Sequence, residues 1–136
     1  MSRRLARETA LQVLYQIDVT GDKNDLPGII RNWCEEFAVS AKNFEFIRRL
    51  VEGTLAKREE IDLKIAQTAH EWSLDRMSIV DRNLMRLAIY EMFYCPETPQ
   101  RVTINEAIEI AKKFGGEDSA RFINGILDKL MDASEK

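Results

Sequence analysis

The stretch LMRLAIYEMFY at residues 84–94 restricts the fold of this chain more than any other. At 100° per residue its apolar side chains cover nearly the whole circumference, so a helix here must be surrounded by other helices. Pro96 and Pro99 follow and end it. The rest of the 136 residues can supply the surround, because nearly every segment repeats its apolar positions at helical spacing.

Ala6, Ala10, Val13, Leu14 and Ile17 share one face of a helix over about residues 3–19, and Gly21–Asp22 marks its stop. Leu26, Ile29, Ile30, Trp33 and Phe37 predict a second helix, with Pro27 tolerated in its first turn. Ser40 is placed to cap a third, whose stripe is Phe44, Ile47, Val51 and Leu55, and Ile61, Ile65 and Ala69 predict a fourth. Beyond the central helix, Thr103 and Glu106 have capping-box spacing, with Ile104, Ala107, Ile108 and Ala111 as the inner face behind them. Gly115 supplies the next stop, and Asp118 or Ser119 can cap a last helix that points Ile123, Ile126, Leu127 and Leu130 inward. The expectation is one compact all-α domain over residues 1–136, with about seven helices.

Composition narrows the function classes. With 45% hydrophobic and 32% charged residues the chain reads as globular, and no apolar run approaches the roughly 18 residues of a membrane span. The start, MSRRLARE, lacks the apolar segment of a secretory signal. Cys34 and Cys95 lie far apart and make no metal-like pair, so a reduced cytoplasmic setting is expected, with a bridge between them left to geometry. The one histidine, His70, falls at a helix end and reads as a dipole partner or a surface residue, and no HExxH, ExxH or CxxC spacing is present. Gly115–Gly116 lacks the lysine and length of a phosphate loop, and the carboxylates Glu106 and Glu109 on one helix flank read as solvation. No catalysis, metal or cofactor is expected.

The first helix poses a sharper problem. Arg3, Arg4 and Arg7 crowd into five residues at its start, although the chain carries a net charge of −3. Cations there oppose the helix dipole unless an anion sits nearby. Arg4, Arg7, Leu11 and Tyr15 fall on one stripe flanking the apolar face. Cations beside an aromatic suit single-stranded RNA, which needs phosphate neutralised and a base stacked. A solvated basic turn, with Tyr15 as the edge of the core, is the plainer reading of the same pattern.

The last helix repeats the theme. Phe122 borders its apolar face, and Arg121 points away from that face near a helix start, where phosphate is favoured. Phe122 fits a base contact and a core edge equally. Asp118 reads as the N-cap, and its charge repels phosphate unless it accepts a hydrogen bond from a base or a protein. In WSLDRMSIVDRN, residues 72–83, Trp72 and Leu74 can anchor a turn. Arg76, Asp81 and Arg82 there form either an internal ion-pair network or a surface for a partner protein.

Three stretches, RRLARETALQVLYQ, WSLDRMSIVDRNLMRLAIYE and INEAIEIAKKFGGEDSARFINGILDKL, together resemble the NusB family of bacterial transcription antitermination factors. The resemblance runs through nearly the whole chain and is weakest over residues 20–45. It implies two helical subdomains and an arginine-rich N-terminal motif. It also implies binding to boxA-type RNA together with the ribosomal protein NusE, in an RNA polymerase complex that suppresses termination on ribosomal RNA operons. By resemblance, Arg3, Arg4 and Arg7 contact phosphate, Tyr15 and Phe122 contact RNA, and Arg121 stands at a basic position. Asp118 is tied to complex assembly and Asp81 faces NusE. Leu5 interrupts an arginine run that is often longer in the family. Two other readings stay open: a protein–protein scaffold with incidental RNA contact, in one form a homodimer, and the NusB-like domain of an RNA cytosine methyltransferase. The latter needs a longer protein, since this chain stops at Lys136.

Overall fold

The computed structural model describes residues 2–69 and 73–131. His70 and Trp72 lie outside the described residues. Among the described residues seven α-helices follow one another: α1 (Arg3–Thr20), α2 (Leu26–Glu36), α3 (Ala41–Ala56), α4 (Arg58–Thr68), α5 (Ile79–Tyr94), α6 (Gln100–Phe114) and α7 (Glu117–Leu130). A single 3₁₀ turn, Leu74–Arg76, precedes α5.

α5 is the hub, packing against α1, α3, α4, α6 and α7. Residues 83–89 are buried without interruption, as the all-round apolar pattern requires. α1, α2 and α3 pack on one another, while α6 and α7 form a second pair beside α5. The core positions expected on α1 are all buried: Ala6, Ala10, Val13, Leu14 and Ile17. Both thiols are buried and free, so Cys34 and Cys95 form no bridge. Burial pushes the Cys95 thiol up to about 11.

Capping follows local chemistry in most places. The hydroxyls of Ser2, Ser40 and Ser78 accept backbone N–H groups at the starts of α1, α3 and α5. Two expectations differ from the structure. α6 begins at Gln100, directly after Pro99, because the fixed φ of that proline turns the chain into the helix at once. Thr103 therefore lies inside the helix and is buried, not at a cap. α7 begins one residue earlier than Asp118, with Gly116 at φ +91° as its N-cap, a conformation in which glycine has no Cβ penalty. Asp118 is thus a first-turn residue, favourable to the dipole, and makes no capping bond.

Asp18 near the end of α1 ties three helices together. Arg82 donates to it from Nε at 2.8 Å and Nη2 at 3.0 Å, Asn83 Nδ2 at 2.7 Å and Arg86 Nη1 at 3.3 Å. Arg86 also forks onto Asp62 of α4 at 2.8 and 3.1 Å. Arg82 therefore belongs to an internal network. Burial pushes the Asp18 carboxyl up, but the hydrogen bonds of Arg82 and Asn83 and the arginine charges outweigh it and hold the carboxyl below its ordinary value. An acid whose folded pKa is depressed binds its proton more tightly when unfolded. Its contribution is then complete above the ordinary aspartate pKa of about 4 and is lost as pH falls through the lower folded value. Urea unfolding at descending pH should show this loss, and Asp18→Asn, less stable at neutral pH, should show a shallower fall.

Candidate functional site

The three arginines at the start of α1 have three different environments. The first turn of α1 holds no acid, so the counter-charges come from other helices. Arg4 forks onto Glu106 of α6, Nε to Oε1 at 3.1 Å and Nη2 to Oε2 at 2.7 Å, and stays exposed. That hydrogen bond outweighs burial and, with the Arg4 and Arg7 charges, holds the Glu106 carboxyl below its ordinary range. Glu106 is thus an ion-pair partner, not a solvating carboxylate. Arg3 lies with its guanidinium carbon 4.0 Å from the centre of the Phe46 ring on α3. Among the described residues it has no acidic partner within 4 Å.

Arg7 differs from the expected outer cation. Its side chain is 8% exposed and forks onto Glu91, 1% exposed, at 2.8 and 2.6 Å. Leu11 on the same stripe is also buried. The reason is tertiary: α5 and α6 both pack on α1, and position 7 faces the carboxylate inside α5. Arg4 and Tyr15, the latter 39% exposed, remain on the outside of that stripe. Part of the missing anion is therefore internal.

A groove of about 270 Å³ forms where the start of α5 meets the first turns of α7. Asp81, Asp118 and Phe122 all line it, joined by Arg76, Met77, Ser78 and Ser119. Phe122 is half-buried against the core, so its ring serves as core edge and groove wall together. Asp118 and Arg121 pair with each other in full exposure, and Arg121 is not part of the lining. The Asp81 backbone N–H donates to the Ser78 hydroxyl at 3.0 Å, while its Oδ1 is buried and accepts no hydrogen bond among the described residues. Met77 and Ser78 escaped the sequence reading and Ser119 entered it only as a candidate cap, since nothing in their spacing signals convergence.

Arg3, Arg4 and Arg7 line a separate cleft with Glu97, Thr98, Pro99 and Glu106. Tyr15 is in neither lining. Among the described residues no group of three or more His, Cys, Asp or Glu side chains could hold a metal, and no helix is long and apolar enough to cross a membrane.

The NusB family model matches residues 4–132. The chain is 54% identical over 136 residues to the transcription antitermination protein NusB of Desulfitobacterium hafniense (strain DSM 10664 / DCB-2), covering 100% of this chain and 92% of that protein. Among solved structures, T. maritima NusB superposes with a TM-score of 0.88 at 40% identity, covering 96% of this chain and 90% of that one. A chain from a crystal structure of antitermination factors NusB and NusE in complex with dsRNA superposes with a TM-score of 0.84 at 28% identity, covering 96% and 97%.

Arg7 and Arg4 should separate in stability. Removing one member of a buried pair leaves an uncompensated charge, so Arg7→Ala should destabilise the fold by about 3–5 kcal/mol. Arg4→Ala removes an exposed pair and should change stability by less than about 1 kcal/mol. Chemical denaturation of both variants at neutral pH measures the difference.

Proposed function

The chain belongs to the NusB family, and we propose that it acts as a non-catalytic antitermination adaptor that binds boxA-type single-stranded RNA jointly with the ribosomal protein NusE. One observation carries this reading. Asp81, Asp118 and Phe122, from segments far apart in sequence, line a single groove. Similarity to a chain of a NusB–NusE–RNA complex supports it.

Arg3 and Arg4 supply exposed cations to phosphate. For Arg4 the exchange from Glu106 to phosphate is cheap, because a partly exposed pair contributes little. Arg7 acts behind them, anchoring the arginine segment on Glu91. Phe122 and the exposed Tyr15 ring offer flat faces to bases, and Arg121 can leave Asp118 for a phosphate. Asp81, in the wall of the groove, contacts NusE, which orients the pair before it joins the RNA polymerase complex.

Titrating a boxA-type RNA at several salt concentrations tests these roles. Arg3→Ala and Arg4→Ala should each reduce the magnitude of the salt slope by about 0.7. Phe122→Ala should weaken RNA binding by about 1–3 kcal/mol with the fold retained. An unchanged affinity would remove that ring from the interface. Asp81→Asn should weaken NusE association in a pull-down while RNA binding without NusE stays unchanged, and equal NusE capture would exclude the assignment.

A further inference from the structure

A second cleft, of about 470 Å³, opens on the other side of Arg3, against α3 and the turn after α5. Lys42, Phe46, Arg48 and Arg49 line it with Arg3 and Glu97. It adjoins the cleft at the start of α1, sharing Arg3, Arg7, Glu97 and Thr98 with it. Four cations thus gather in a chain whose net charge is −3. Arg7, also in the lining, is spent on Glu91.

The cations differ in how firmly they are held. Lys42 is exposed and, like Arg3, has no acidic partner within 4 Å among the described residues. Arg48 bridges Glu45 and Glu52 on its own helix, with all three side chains more than 40% exposed. Arg49 pairs with Glu97, both similarly exposed. Such pairs contribute little and yield readily to a stronger anion. Phe46 lies half-buried beneath the Arg3 guanidinium and holds that cation over the cleft. A single nucleic-acid strand suits a row of exposed cations continuous with the cleft of the arginine segment. An acidic protein would use the same charges, but continuity with the cleft of the arginine segment favours the strand.

We infer that the cleft formed by Arg3, Lys42, Phe46, Arg48 and Arg49 is a phosphodiester-binding extension of the RNA site, engaging nucleotides beyond those held at the arginine segment and the Phe122 groove. This rests on the RNA-binding reading above and deepens it. The strand crosses the start of α1 and continues over α3. Contacts here are to backbone, so they lengthen the footprint without adding base preference.

Fluorescence anisotropy with a short boxA-type RNA, and with the same RNA lengthened at each end in turn, tests this across a salt series. For the unaltered protein, lengthening one end should steepen the salt slope by about 0.7 for each phosphate gained. The double variant Lys42→Ala/Arg48→Ala should lose that increment and bind the short RNA as before. Lys42→Ala alone, at an exposed position, should lose part of it, and thermal unfolding verifies both folds. Equal slopes for short and lengthened RNA would overturn the extension while leaving the RNA reading intact. So would a double variant that keeps the increment. Failure of the unaltered protein to bind any of these RNAs in the presence of NusE would overturn both.

Discussion

The docking of α1 along α5 is the contact on which the other helices depend. It is clamped by charge at both ends. Arg7, early in α1, holds Glu91, late in α5, while Asp18, late in α1, holds Arg82, Asn83 and Arg86, early in α5. The order makes the helices antiparallel. Arg7 to Asp18 spans about 16 Å of helix and Arg82 to Glu91 about 14 Å, so both clamps close in one alignment. Sliding α1 by a turn would leave a buried charge unpaired at each end, a far larger penalty than any apolar mismatch. Apolar packing drives the association, and the charges select its register.

The same clamp decides what the arginine segment presents to solvent. Anchoring Arg7 inward brings Arg4 alongside Glu106 and leaves Arg3 against Phe46. A cluster that opposes its own helix dipole is tolerated because α5 and α6 supply carboxylates from behind. The surplus cations remain exposed, where phosphate can reach them.

Much of the architecture was legible because helical periodicity is local. The buried faces of α1 and α4, most of that of α7, the cap at Ser40 and the stop at Gly115 follow from spacing within one segment. On α3, by contrast, Ile47 and Val51 are buried as expected, Phe44 and Leu55 are half-buried, and Leu50 and Thr54 join the buried face. Local signals misled where two were in competition. Thr103 with Glu106 has the form of a capping box, but Pro99 starts the helix a turn earlier. Asp118 has the chemistry of a cap, but Gly116 occupies that position. The site was less legible. Arg4, Tyr15, Asp81 and Phe122 stood out by residue type, whereas the groove that joins Asp81 to Asp118 and the cleft around Phe46 join residues tens of positions apart.

By itself the sequence determined the class of fold. An all-round apolar helix at residues 84–94 and one-sided helices before and after it leave little choice but a helical shell around α5. It also determined that cations gather at the start of α1. Tertiary structure decided which of them are available. Arg7 and Arg4 are one turn apart and identical in chemistry, and a helical wheel places them on one stripe. Only the position of a carboxylate on another helix, Glu91 in the interior or Glu106 at the surface, makes one a buried anchor and the other an exposed cation. Burial and pairing arise between segments, and no spacing within a single helix encodes them.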